Sequence, residues 1–69
     1  MIALTRLNGS RFVLNAELIR TIEEHPDTVI QLINGDHVVV KEAMDVVVAR
    51  AIEYRRHLHS FLSPEPAVK

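Results

Sequence analysis

The stretch over residues 28–41, TVIQLINGDHVVVK, constrains the fold of this chain more than any other. Val29, Ile30, Leu32 and Ile33 lead into Asn34-Gly35, and Val38, Val39 and Val40 lead out. Asn-Gly between two β-rich runs signals a hairpin, because a two-residue type I′ turn requires positive φ twice and these residues tolerate it. Pairing outward from such a turn sets Ile33 opposite Asp36, Leu32 opposite His37, Gln31 opposite Val38, Ile30 opposite Val39 and Val29 opposite Val40. Both faces of that hairpin are mostly apolar, which predicts a central element covered on both sides.

The same turn chemistry occurs earlier. Residues 2–15, IALTRLNGSRFVLN, read as a hairpin about Asn8-Gly9. Two-residue pairing sets Leu7 against Ser10, Arg6 against Arg11, Thr5 against Phe12, Leu4 against Val13 and Ala3 against Leu14. Two arginines directly opposite each other are mutually repulsive, which an exposed tip tolerates. Asn15-Ala16-Glu17-Leu18 has the character of a short helical start, with Asn15 as N-cap and Glu17 in the first turn. Residues 19–24, IRTIEE, suit a short strand with Ile22 inward, and Pro26 stops it. His25-Pro26-Asp27 then turns the chain into the central hairpin.

From about Glu42 the apolar period changes. Val47, Ala51, Tyr54, Leu58 and Phe61 form one stripe of a helix over about residues 43–62, with Met44, Val48 and Ile52 widening it beside the sheet. Acidic Glu42 and Asp45 near its start and basic Arg55 and Arg56 near its end complement the helix dipole. Arg50, Glu53, Arg56 and His57 belong to its wet side. The expected fold is α+β: two hairpins and one extra strand in mainly antiparallel pairing, with a C-terminal helix. The expected core is Leu4, Phe12, Leu14, Ile22, Ile30, Leu32, Val38, Val40 and Val47. Residues 1–62 read as one small domain, and residues 63–69, beginning Ser63-Pro64-Glu65-Pro66, as a disordered tail.

Size sharpens the functional question. Ordering 69 residues costs on the order of 100 kcal/mol, at roughly 1.5 kcal/mol each, and a core this small offsets that narrowly. No cysteine is present to staple the fold, so contact with a partner or a second copy is the remaining way to bury more. A net charge of −1 argues against non-specific nucleic-acid binding. No apolar run is long enough to span a bilayer, and residues 1–8 lack the pattern of a signal peptide, which predicts a cytoplasmic protein.

The residues that carry catalysis elsewhere are scattered. His57 and His59 stand about 200° apart around a helix and cannot chelate one ion together. Glu23 and Glu24 on a strand point to opposite faces. Ser10, Ser60 and Ser63 have no evident histidine-acid partners, and the two Asn-Gly pairs are isolated glycines, not a phosphate-cradling loop. The expectation is therefore no enzyme, no catalytic residue, no cofactor and no metal site.

The order of features is more specific than any one of them. Thr5-Arg6-Leu7-Asn8-Gly9 comes first, then Phe12-Val13-Leu14-Asn15, then Ile22-Glu23 shortly before Pro26-Asp27-Thr28. Ile30-Gln31-Leu32 with Asn34-Gly35 and Val39-Val40-Lys41-Glu42 follow. Over about residues 1–55 this order resembles the FlbD/SwrD family of small flagellar and swarming-motility proteins. The resemblance implies a bacterial, cytoplasmic accessory of the flagellum, peripheral to its base, that supports motor power and swarming. It carries over no catalytic residues. A basal-body or stator component is the expected partner, with no nucleic acid and no membrane insertion. Two other readings stay open: a small nucleic-acid-binding regulator, with Arg6, Arg11 and Arg20 along one edge, and a self-assembling structural subunit.

Polar groups on turns are free of the packing constraints of a sheet, so Arg6, Asn8 and Asp27 are the candidate partner-binding residues. The plainer reading of Asn8 and Asp27 is turn chemistry alone. The chain is expected to form a homo-oligomer, because a single helix covers only one face of a doubly apolar hairpin. Phe61 and Leu62, at the end of that helix, are the candidate self-association residues.

Overall fold

A computed structural model of the protein describes residues 1–62, with side chains described through Leu58. Residues 63–69 and the side chains of Phe61 and Leu62 lie outside the described residues. The fold is α+β. Strands β1 (Ile2–Thr5) and β2 (Arg11–Leu14) form one antiparallel hairpin. A 3₁₀ turn, Ala16–Leu18, leads into β3 (Ile19–Glu24). Strands β4 (Thr28–Leu32) and β5 (His37–Val40) complete a second antiparallel sheet of order β3-β4-β5, and helix α1 (Met44–Leu62) follows. Asn15 caps the 3₁₀ turn as its residue type predicts, its Oδ1 accepting the Glu17 N–H at 3.0 Å.

Both Asn-Gly turns exist, but each is one residue longer than a type I′ turn. Gly9 N–H donates to the Arg6 carbonyl and Arg6 N–H to the Ser10 carbonyl, both at 2.9 Å. Gly35 N–H donates to the Leu32 carbonyl at 2.9 Å and Leu32 N–H to the Asp36 carbonyl at 2.8 Å. Each is a three-residue loop ending in a glycine at positive φ, 94° for Gly9 and 96° for Gly35, the arrangement of a type I turn followed by a G1 bulge.

The longer loop moves the register of both hairpins by one residue. Leu4 faces Phe12 and Thr5 faces Arg11, so the two arginines expected opposite each other, Arg6 and Arg11, are not paired. Ile30 faces Val38 and Thr28 faces Val40. This register corrects the faces as well. Ile2, Leu4, Phe12 and Leu14 gather on one side of the first hairpin, and Thr28, Ile30, Leu32, Val38 and Val40 on one side of the second. Burial decides the choice, because a two-residue loop would split these apolar sets between core and solvent. The central hairpin is accordingly buried on one face. Its other face, with Val29, Gln31 and Val39 half-buried and His37 exposed, is not covered as expected.

Strand β3 solves a similar conflict. Ile19 and Ile22 are three apart, so a regular strand would turn them to opposite faces. A bulge between Ile19 and Thr21 sets Ile19 opposite Leu32 and Ile22 opposite Ile30, and both isoleucines reach the core side.

The core is Ile2, Leu4, Leu14, Ala16, Ile30, Leu32, Val40 and Val47, with Phe12, Ile19, Ile22, Val38, Ala51 and Tyr54 packed against it. All nine expected core residues are among these; Ile2, Ala16 and Ile19 are additions to the expected set. Helix α1 lies against β1 and β3. Val47 is fully buried and Ala51 and Tyr54 pack behind it. Met44, Val48 and Ile52 do not widen this contact: they sit on the next ridge of the helix and are 37%, 38% and 52% exposed.

Candidate functional site

The two sheets meet at one corner. Arg6, just past β1, forms an antiparallel bridge with Val40 at the end of β5, and Lys41 N–H donates to the Thr5 carbonyl at 2.8 Å. Glu42 closes the corner with its side chain. Its Oε1 accepts the Thr5 N–H at 3.0 Å and its Oε2 the Thr5 hydroxyl at 2.8 Å. Arg50 Nη1, one face of the helix away, stands 3.7 Å from Oε2 and donates to the Ala3 carbonyl at 2.6 Å. From the opposite side the Thr28 hydroxyl, itself buried, donates to the Glu42 carbonyl at 2.7 Å. One residue thus joins β1, β4 and α1.

The Glu42 side chain is only 15% exposed. Burial works to raise its pKa, but the hydrogen bonds from the Thr5 N–H, the Thr5 hydroxyl and its own backbone, with the charge of Arg50, outweigh that. The net result lies below the ordinary carboxylate value. A carboxylate held this way has its oxygens committed and is a brace, not a free acid or base. Nothing in the sequence signals it, because Thr5 and Glu42 are distant in the chain.

The brace fixes the Thr5–Arg6 backbone, and with it the first turn. The Arg6 guanidinium lies over the Phe12 ring, 4.3 Å from its centroid, a cation–π contact made at an exposed position. Asn8 Oδ1 accepts both the Ser10 N–H at 2.9 Å and the Ser10 hydroxyl at 2.8 Å, so that oxygen serves the turn. Asp27 is exposed, and its carbonyl accepts the His25 N–H at 3.0 Å across a turn whose His25-Pro26 peptide is cis.

The register brings Arg6 and Asp27 to the same corner. Arg6 bridges Val40, and Val40 faces Thr28, the residue after Asp27. Two strand spacings, about 10 Å, therefore separate the backbones where the two turns begin. At this end of the joined sheets Arg6, Lys41 and Asp27 are all exposed. Asn8 is drawn instead into its own turn. Among the described residues no three His, Asp or Glu side chains converge as metal ligands would. No helix among them is long and apolar enough to cross a membrane.

Fold and corner together define a small α+β protein whose buried side-chain polar atoms, among the described residues, all have partners. The chain belongs to the FlbD family of flagellar and swarming motility proteins, whose family model matches residues 1–59. No curated protein and no solved structure gives a significant match.

Proposed function

We propose that this protein is a non-enzymatic accessory of the bacterial flagellum that acts in the cytoplasm, at the flagellar base, by binding a basal-body or stator protein. Family membership supports the flagellar setting. The observation that carries the mode of action is the Arg6–Asp27 corner. The Glu42 brace and the Phe12 ring hold the Arg6 guanidinium at the same end of the sheets as the acidic Asp27 turn, which begins two strand spacings away. Opposite charges held on rigid backbone form a recognition surface for a partner of complementary pattern.

Arg6→Glu and Asp27→Lys, each replacing the wild-type copy, test this reading. Both variants are expected to accumulate as folded protein and to reduce swarming. Arg6→Glu also loses the contact with Phe12, worth about 0.5–1 kcal/mol at an exposed site. Asp27→Lys has no such contact to lose and is the cleaner arm. Normal swarming at normal protein levels in both strains removes the corner from the site.

A further inference from the structure

A second surface adjoins the Glu42 brace and shares Arg50 with it. The start of β1 and the outer side of α1 enclose a cleft of about 400 Å³. Its lining is apolar at Met1, Ile2 and Ala3 and carries Arg11, Arg50, Glu53, Tyr54 and His57 around them. Arg50 is tethered by the Ala3 carbonyl at 2.6 Å and Glu42 at 3.7 Å, and His57 Nε2 is held 2.9 Å from Glu53 Oε2. Arg11 enters no ion pair among the described residues. The cleft is therefore an apolar floor with one cation outside any ion pair, Arg11, beside Arg50 paired with Glu42 and His57 paired with Glu53.

The chain itself carries a shape of the opposite charge. At the end of the edge strand β3, Glu23 and Glu24 are exposed and are followed by exposed Pro26. That tip is rigid: Glu24 faces Thr28 in the ladder, and His25 N–H bonds the Asp27 carbonyl at 3.0 Å. None of its residues lines the cleft of its own molecule. We propose that the β3 tip of one copy docks in the Arg11–Arg50 cleft of the next, with Pro26 on the apolar floor and Glu24 toward Arg11, while Glu23, on the other face of the strand, lies 3.9 Å from His25 of its own turn. Two ordered surfaces lose little conformational entropy on meeting. The two patches differ, so the contact is head-to-tail and propagates from copy to copy rather than closing on a two-fold axis. Asp27, on the β4 side of the turn, stays with the Arg6 corner. The proposal concerns copies in solution and does not depend on the motility reading.

The test uses purified full-length protein in low salt, measured by light scattering after size exclusion and by sedimentation. Wild-type protein is expected to show concentration-dependent species larger than a monomer, dispersed when salt shortens the Debye length to a few ångström. Arg11→Gln, which spoils the cleft, and the double variant Glu23→Gln/Glu24→Gln, which spoils the tip, are each expected to weaken association at least tenfold. Mixed together, the two variants should form a one-to-one complex and go no further, because one supplies an intact tip and the other an intact cleft. Circular dichroism checks that each variant is folded. A wild-type protein that stays monomeric to about 1 mM, where even a contact of about 4 kcal/mol would register, overturns the proposal. So does association that survives both variants, or variants that stay separate when mixed. A monomer whose cleft instead binds a synthetic Glu-Glu-His-Pro peptide, by chemical shift changes at Arg11 and Tyr54, would make the occupant a foreign acidic segment and not a second copy.

Discussion

At the scale of single residues, Glu42 does the most with the least sequence warning. Its folded pKa is depressed, so the sign of its pH effect is fixed. The stability it contributes is present above its unfolded value, near 4.5, and is lost as pH falls through the lower folded value. Glu42→Gln keeps the side chain's shape but places an amide against two donors from Thr5. It is expected to lower stability at pH 7 by about 1.5 kcal/mol, the low end for hydrogen bonds to a charged group. The difference between wild type and variant, read as urea midpoints, should shrink on going from pH 7 to pH 3. A difference that stays constant across that range would show that the carboxylate's charge contributes nothing to the brace. Arg6 teaches a related lesson. Read from sequence it is an exposed charge with no local duty; in the structure its guanidinium also covers Phe12, so it serves packing and surface together.

At the scale of elements, the two hairpins are set by their loops. Gly9 and Gly35 have open space where a Cβ would go, so substitution there meets backbone strain and no steric clash. Alanine at either φ is expected to cost about 1–2 kcal/mol, the penalty for a left-handed L-residue. Asparagine, which tolerates that region, should cost less. Chemical denaturation of Gly35→Ala and Gly35→Asn checks the ranking. Equal costs for the two would point to something other than φ. The bulge in β3 belongs to this scale as well. Spending one unpaired residue at Arg20 places both Ile19 and Ile22 on the core side of an edge strand. It also leaves that edge lined with Arg20, Glu23 and Glu24, charges that discourage indiscriminate strand pairing.

At the scale of the whole molecule, two small sheets and one helix share one core, and neither sheet is large enough to stand alone. Leu4 from the first sheet, Ile30 and Val40 from the second and Val47 from the helix are all fully buried together. The Arg6–Val40 bridge and the Glu42 hydrogen bonds cross the same junction. The protein is therefore expected to unfold in one step. Tyr54, the sole tyrosine, packs the helix against the core, so its fluorescence follows tertiary contact while far-ultraviolet circular dichroism follows secondary structure. Urea midpoints from the two signals should coincide, with a slope of about 1 kcal/mol/M for a chain this short. Midpoints that separate would mean that the helix leaves before the sheets melt.

The sequence by itself determined the elements and most of their inward residues. Alternation in residues 28–41, the Asn15 cap, Pro26 and the period of residues 44–58 are local signals, and each produces the element it announces. The motif order from Thr5-Arg6-Leu7-Asn8-Gly9 to Val39-Val40-Lys41-Glu42 also sufficed to indicate the family. Register was left to the tertiary structure. Asn-Gly suits both a two-residue and a three-residue loop, and only collecting Leu4, Leu14, Ile30, Leu32 and Val40 against Val47 selects the longer one. The corner that joins Thr5, Arg6, Thr28, Val40 and Glu42 was likewise invisible in the chain. Its contacts cross long stretches of sequence, and a side chain gains such partners only when a shared core has brought the strands that carry them together.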